Sequence, residues 1–347
     1  MSSAAEIDLE GPPAPLLEVR DLRVHFKTDY GVVKAVDGVS WHVNEGETLA
    51  IVGESGSGKS VSAMTILGLV PAPPATFPSG DIMLRGRSLL KMPEKQQRKL
   101  RGSQIAMIFQ DPLTALNPVF KVGDQIAEMV RVHQDVTKNV AKKRALDLLG
   151  EVGIPNPAVR LNQYPHEFSG GMRQRAMIAM ALANDPHVLL ADEPTTALDV
   201  TVQAQIMSLL QKLQEDRNTA IVLITHDLGV VASYANRINV MYAGKIVETG
   251  TADEIFYEPR HAYTFGLLSS LPRMDQSRQE RLVPIKGLPP SLANVPRGCP
   301  FHPRCAFASD QCLPEVPELV AVGGDGHRAA CVHSDRVAMA HEERAVR

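Results

Sequence analysis

Four short apolar runs punctuate the chain: Glu47–Val52, Ile105–Phe109, Val188–Ala191 and Ala220–Thr225, each bounded by turn-forming or polar residues. Runs this brief suit strands buried on both faces, as in a parallel sheet. Between the second and third runs the texture changes. Asp124–His133 and Ala141–Val152 carry apolar residues at helical spacing, which predicts a helical insertion over about 111–185. The charged run Lys142-Lys143-Arg144 is read as the solvated face of the second helix rather than a binding patch. Strands alternating with helical stretches predict an α/β core over 16–272. Beyond Pro272 the composition shifts toward Pro, Gly, Arg and Cys, predicting a linker and a small module over 273–347. No internal repeat appears, so one such core is expected.

Gly53-Glu54-Ser55-Gly56-Ser57-Gly58-Lys59-Ser60 joins the first apolar run to a helix predicted from Val61 toward Leu69. That is the strand-to-helix setting required by the phosphate-binding pattern G-x-x-x-x-G-K-[ST]. Its glycines let backbone N–H groups curl around phosphate oxygens, and the helix N-terminus adds partial positive charge. Lys59 is expected to reach the β- and γ-phosphates of ATP, and Ser60 to ligate Mg2+. Chance would place the bare pattern in such a chain on the order of 1% of the time.

The run Val188-Leu189-Leu190-Ala191 ends in Asp192-Glu193, so the strand delivers two acids to the edge where a parallel sheet binds ligands. Asp192 is the expected Mg2+ ligand and Glu193 the expected general base for an attacking water. Ile221-Val222-Leu223-Ile224-Thr225 ends the same way in His226, positioned to donate to the γ-phosphate. Gln110, following Ile105–Phe109, adds a third polar side chain at that edge and a candidate Mg2+ contact.

Composition narrows the partners. The 347 residues are 44% hydrophobic and carry a formal net charge of −3, enough for a sizeable core and without the basic excess of a nucleic-acid binder. Residues 1–15 are small, acidic and proline-bearing, unlike a secretory signal, and are expected to form a mobile tail. The apolar runs are too short to cross a bilayer, so any membrane role passes through a separate partner.

Phe168-Ser169-Gly170-Gly171-Met172-Arg173-Gln174-Arg175 resembles the signature sequence of ABC ATPases, with Phe168 and Met172 replacing the commoner Leu and Gln. The resemblance runs from Leu17 to about Asp335. It implies a P-loop NTPase core with an inserted helical subdomain. It also implies adenine stacking by Tyr30, coupling to a membrane subunit through Gln110, a loop Ala197-Leu198-Asp199 facing the opposite monomer, and a switch role for His226. Two cassettes of this family close head to tail, so Ser169, Gly170 and Gly171 of one complete the ATP site of the other.

Asp111-Pro112-Leu113-Thr114-Ala115-Leu116-Asn117-Pro118, Tyr164-Pro165-His166-Glu167 and His261-Ala262-Tyr263-Thr264 are similar to segments of the dipeptide and oligopeptide import ATPases. That likeness implies an ATPase at the cytoplasmic face of the membrane. Its expected partners are a second ATPase subunit, two transmembrane permease subunits and an extracellular substrate-binding protein. Relatives carrying nickel or glutathione, and soluble ABC-type ATPases acting on ribosomes or nucleic acid, are the alternatives.

All four cysteines, Cys299, Cys305, Cys312 and Cys331, fall near the C-terminus. A reducing compartment argues against disulfides, and the spacing C-x5-C-x6-C-x18-C departs from common zinc and ferredoxin patterns. Gly298-Cys299-Pro300-Phe301-His302-Pro303-Arg304-Cys305 resembles the C-terminal region of peptide-import ATPases, some of which hold a [4Fe–4S] cluster there. A structural cluster is therefore expected; zinc, with His302, His327 or His333, and unmetallated thiols are the alternatives.

Overall fold

The computed structural model of the protein describes residues 14–29, 31–196, 198–271, 284–324 and 326–346. The chain opens with β1 (Leu17–Thr28) and β2 (Gly31–Val43), a long antiparallel pair. β3 (Thr48–Val52) leads through the phosphate loop into α1 (Lys59–Ile66). The short strands β4 (Ala75–Thr76), β5 (Asp81–Leu84) and β6 (Arg87–Ser88) follow, then α2 (Glu94–Leu100) and β7 (Ile105–Ile108). Helices α3 (Pro112–Ala115), α4 (Val122–His133), α5 (Lys138–Glu151), α6 (Pro157–Arg160) and α7 (Gly170–Ala181) separate β7 from β8 (Val188–Asp192).

Then come α8 (Val200–Arg217), β9 (Ala220–Thr225), α9 (Leu228–Tyr234), β10 (Arg237–Tyr242) and β11 (Lys245–Thr251). The chain continues through α10 (Ala252–Tyr257) and α11 (Ala262–Ser269) to β12 (Val320–Ala321), β13 (Arg328–Ala329) and α12 (Ser334–Val346). None of the described helices is long and apolar enough to cross a membrane.

The main sheet runs β12-β13-β11-β10-β3-β9-β8-β7. From β10 to β7 every pairing is parallel. Its central strands are continuously apolar because both faces are covered. Leu189 and Ala191 of β8 face one core, with Ala50, Val52, Ile221 and Leu223; Val188 and Leu190 face the other, with Leu49, Ile51, Val222 and Ile224. A one-residue slip would exchange the two sets, so the register is well specified. Truncating a residue such as Leu190 to Ala would cost about 2–5 kcal/mol.

The second sheet, β2-β1-β5-β6 with β4 on β1, packs in the same core as α1. Its hairpin was not among the strands predicted from the sequence, although Leu17-Glu18-Val19-Arg20 alternates apolar and polar residues as a strand with one buried face does. The predicted strands appear with small changes: β3 begins at Thr48, β7 ends at Ile108, and β8 includes Asp192.

The helices between β7 and β8 bury Ile126 and Val130 of α4 against Ala141, Ala145 and Leu148 of α5, where two alanines let the helices approach. α5 starts three residues earlier than its apolar spacing indicates, since Thr137 caps it by accepting from the Val140 N–H. In the charged run, Lys142 pairs with Asp124 at 3.3 Å and Arg144 with Asp185 at 2.9 Å, which are surface contacts. The C-terminal residues join the main sheet: β13 pairs antiparallel with β11 through Glu248↔Ala329 and Thr249↔Arg328. The start of the expected linker, 273–283, lies outside the described residues.

Candidate active site

Adjacent parallel strands β7, β8, β9 and β3 end at one edge, and each passes directly into a polar segment. The loop after β3 is shaped by two glycines. Gly53 (φ 154°) and Gly58 (φ 104°) adopt backbone conformations that other residues rarely take. A Cβ on Gly53 would run into the Met241 carbonyl oxygen, and one on Gly58 into that of Ala35. The loop therefore seats against β10 and β2 only without side chains at these two points. Gly56 (φ 78°) meets nothing within 4 Å, leaving the loop's open side clear.

Lys59, in the first turn of α1, donates to the carbonyls of Gly53 at 2.7 Å and Glu54 at 2.9 Å, with Ser57 Oγ at 3.5 Å. Burial pulls its pKa below the ordinary lysine value, while Glu193, Asp192 and Glu54 oppose that shift. Ser60 Oγ donates to Asp192 Oδ1 at 3.0 Å. Burial, reinforced by Glu193, pushes the Asp192 carboxyl above its usual range despite the Ser60 bond and the Lys59 charge. A hydroxyl and a carboxylate this close form the hard-oxygen pair that Mg2+ prefers.

Glu193 follows β8 at φ 47°, a left-handed conformation that turns the chain sharply. Its N–H donates to the Ile224 carbonyl of β9 at 2.8 Å, which holds that conformation. The carboxylate is engaged at both oxygens: His226 Nδ1 stands 3.0 Å from Oε1, while Gln110 Nε2 and Thr196 Oγ1 donate to Oε2 at 2.9 and 2.8 Å. Burial raises its pKa, but the bonds from His226 and Thr196 and the Lys59 charge more than offset this, leaving it below the usual range. The carboxylate is thus ionised, and oriented, at neutral pH. Gln110 spends its amide N–H on Glu193, so its amide oxygen is the donor it offers a metal ion.

Gly53–Ser60, Gln110, Asp192, Glu193 and His226 therefore meet at one edge. Ser169, Gly170, Gly171 and Asp199 keep to local structure. Ser169 Oγ caps α7 by accepting from the Met172 N–H at 3.3 Å, and Asp199 Oδ1 caps α8 by accepting from the Val202 N–H at 3.0 Å. Ser169, Gly170 and Asp199 are exposed, and a Cβ on Gly170 would meet nothing within 4 Å. The first turn of α7 thus presents free N–H groups outward. Tyr30 and Ala197 lie outside the described residues.

Comparison with known proteins agrees with this geometry. Residues 36–196 match the model of the ABC transporter family, and residues 247–312 match that of the oligopeptide/dipeptide transporter C-terminal region. The oligopeptide transport ATP-binding protein OppD of Bacillus subtilis is 56% identical over 307 residues, covering 88% of this chain and 86% of that protein. The dipeptide transport ATP-binding protein DppD of Lactococcus lactis is 55% identical, covering 88% of each. The chain belongs to the ATP-binding subunits of the oligopeptide/dipeptide ABC transporter family. Among solved structures, an ATP-binding cassette in a dimeric post-hydrolysis state with ADP and phosphate superposes with TM-score 0.62 at 28% identity, over 68% of this chain and 98% of that one.

The expected [4Fe–4S] cluster and its zinc alternative find no support among the described residues. The four cysteines form no disulfide and lie near enough for Cys299, Cys312 and Cys331 to disfavour ionisation of Cys305. Burial is the larger cause and pushes the Cys305 thiol up to about 11; it raises Cys299 and Cys331 too. Among the described residues, however, no group of three or more His, Cys, Asp or Glu side chains is placed to hold a metal ion. The three candidate histidines are engaged elsewhere: His302 with the Cys299 carbonyl, His327 with Glu248, and His333 with Ser309.

Sequence reasoning missed Thr196, although a hydroxyl three residues after Glu193 was available as a signal. It also missed Arg304 and Tyr263, which contact the phosphate loop from 250 and 209 residues away. No local pattern marks such partners.

Proposed function

We propose that this chain binds and hydrolyses ATP to drive uptake of dipeptides or oligopeptides, working at the cytoplasmic face of the membrane on two permease subunits fed by an extracellular substrate-binding protein. The combination that carries the reading lies in one chain: an oriented, ionised Glu193 beside a phosphate loop, and a stretch at 247–312 matching the oligopeptide/dipeptide transporter C-terminal region.

In this reading Lys59 and the loop's N–H groups hold the β- and γ-phosphates. Ser60 and Asp192, with Gln110, would hold Mg2+, which would supply positive charge against the negative charge developing on the phosphates. Glu193 accepts the proton of the attacking water, and His226 donates to the γ-phosphate once it exchanges its bond to Glu193 for one to the nucleotide. Tyr30 stacks on adenine. Ser169, Gly170, Gly171 and Asp199 act on a neighbouring ATPase subunit, a copy or a related chain, whose phosphate loop they complete. The exposure of Ser169, Gly170 and Asp199, and the local capping by Ser169 and Asp199, support this. The helical region 111–185 is the permease-facing subdomain of a cassette spanning 16–272, preceded by the tail 1–15 and followed by the C-terminal region 273–347.

Purification of the tagged chain from gently solubilised membranes, with mass spectrometry of its companions, tests the assignment. Two multi-span proteins and a peptide-binding protein are expected; ribosomes or nucleic acid without membrane proteins would overturn it.

A further inference from the structure

The phosphate loop has a partner far along the chain. Arg304 reaches Glu54, the second residue of the loop, with a two-pronged ion pair: Nη1 to Oε2 at 2.6 Å and Nη2 to Oε1 at 2.9 Å. Its side chain is only 6% exposed. The remaining donors are also used. Nε donates to the Lys286 carbonyl at 3.0 Å, Nη2 to that of Gly287 at 3.3 Å and Nη1 to Tyr242 Oη at 3.3 Å. The guanidinium also lies 5.8 Å from the Tyr242 ring and 5.9 Å from the Phe301 ring. A planar fork with every N–H engaged is not replaceable by lysine.

Glu54 is thereby fixed at three points. Its carboxylate is held by Arg304, its N–H donates to Tyr263 Oη at 2.8 Å, and its carbonyl accepts from Lys59 Nζ at 2.9 Å. Tyr263 is fully buried and packs with Tyr242 and Phe301, ring centroids 4.6 and 5.4 Å away. The cluster thus joins the end of β10, α11 and the cysteine-bearing segment into one support behind the loop.

Charge makes the contact more than a brace. A loop that binds a polyanion contains a carboxylate whose field reaches Lys59, the cation expected on the phosphates. Left unpaired, Glu54 would repel ATP and compete for that lysine. We propose that Arg304 is a positioning residue of the ATP site: by clamping both oxygens of Glu54 it fixes the phosphate loop and cancels a negative charge beside Lys59, making the C-terminal region part of the nucleotide-binding machinery. This rests on the reading of Gly53–Ser60 as the ATP loop.

The test is ATP affinity of the purified full-length chain, followed with a fluorescent ATP analogue alongside thermal melts. Arg304→Met should raise the Kd about tenfold, the value of one charge-assisted pair. Arg304→Lys, which keeps the charge but loses the fork, should raise it about threefold. Adding Glu54→Gln to Arg304→Met should bring the Kd back to within about threefold of wild type while the lowered melting temperature persists. A folded Arg304→Met chain with wild-type affinity, or a double variant as weak as the single, reduces Arg304 to a structural staple and overturns the proposal. Should Arg304→Met not fold, Arg304→Lys decides, with an unchanged Kd overturning it. A wild-type chain that binds no ATP would instead overturn the reading of the loop.

Discussion

The hydroxyl of Ser60 donates to Asp192 Oδ1 across 3.0 Å, tying the first turn of α1 to the last residue of β8. The bond aligns two oxygens for a metal ion, while the site costs the fold, because burial raises the Asp192 pKa despite the bond. A carboxyl whose folded pKa lies above its unfolded value stabilises the fold only while protonated. That contribution is present below the unfolded value, near 4, and is lost as pH rises through the folded one.

Asp192→Asn should therefore make the nucleotide-free chain more stable at pH 7, by about 2–4 °C in melting temperature, while reducing Mg2+-dependent turnover at least about 100-fold. Melts across the acid-to-neutral range should show a larger gap over wild type at the neutral end than at the acid end. A variant that melts lower than wild type at pH 8 would contradict the buried-charge argument.

Glu193→Gln keeps the shape and one oxygen acceptor but cannot take a proton. ATP binding should persist, the ATP-bound chain should accumulate as a closed dimer with its partner, and phosphate release should fall about 100- to 10,000-fold. Light scattering with ATP and a phosphate assay together read both effects. Turnover near the wild-type rate would remove Glu193 as the base.

The parts of this site legible in sequence are those carried by local order. A strand followed at once by a loop, an acid pair or a histidine fixes which side chains reach the sheet edge, so Lys59, Ser60, Asp192, Glu193 and His226 could be named from short segments. Their meeting depends only on the strands being parallel neighbours, which apolar runs and intervening helices indicate. What escaped is contact between distant segments. Arg304 on Glu54, and the pairing of β13 with β11, arise from how the C-terminal segment docks, and no spacing rule encodes docking. For the cysteines the expected metal centre came from a resemblance rather than from spacing, and among the described residues no group of three or more donors is placed to hold an ion.

Ser169 caps α7 from an exposed position, so its replacement acts mainly on whatever approaches that helix end. Ser169→Arg should cost about 1 kcal/mol through the lost cap, leave ATP binding by this chain unchanged, and stop hydrolysis at the neighbouring subunit's phosphate loop. Mixing the variant with a wild-type partner separates the two sites. Undiminished turnover at the partner's loop would rule out a composite site.

His261 caps α11 from inside the core: its Nδ1 accepts from the Tyr263 N–H at 3.1 Å, and the ring is 1% exposed. Burial lowers its pKa from 6.5 to about 3. A histidine depressed in this way stabilises the fold fully above its unfolded value, and the contribution erodes as pH falls toward the folded one. Between pH 6.5 and 5 the loss is about 2 kcal/mol, at about 1.4 kcal/mol per unit. His261→Asn retains a capping oxygen but cannot titrate. It should be less stable at pH 7, because the ring packs 6.1 Å from Phe301, yet lose about 4 °C less than wild type in melting temperature between pH 7 and pH 5. Parallel pH slopes for the two chains would mean that the acid sensitivity arises elsewhere.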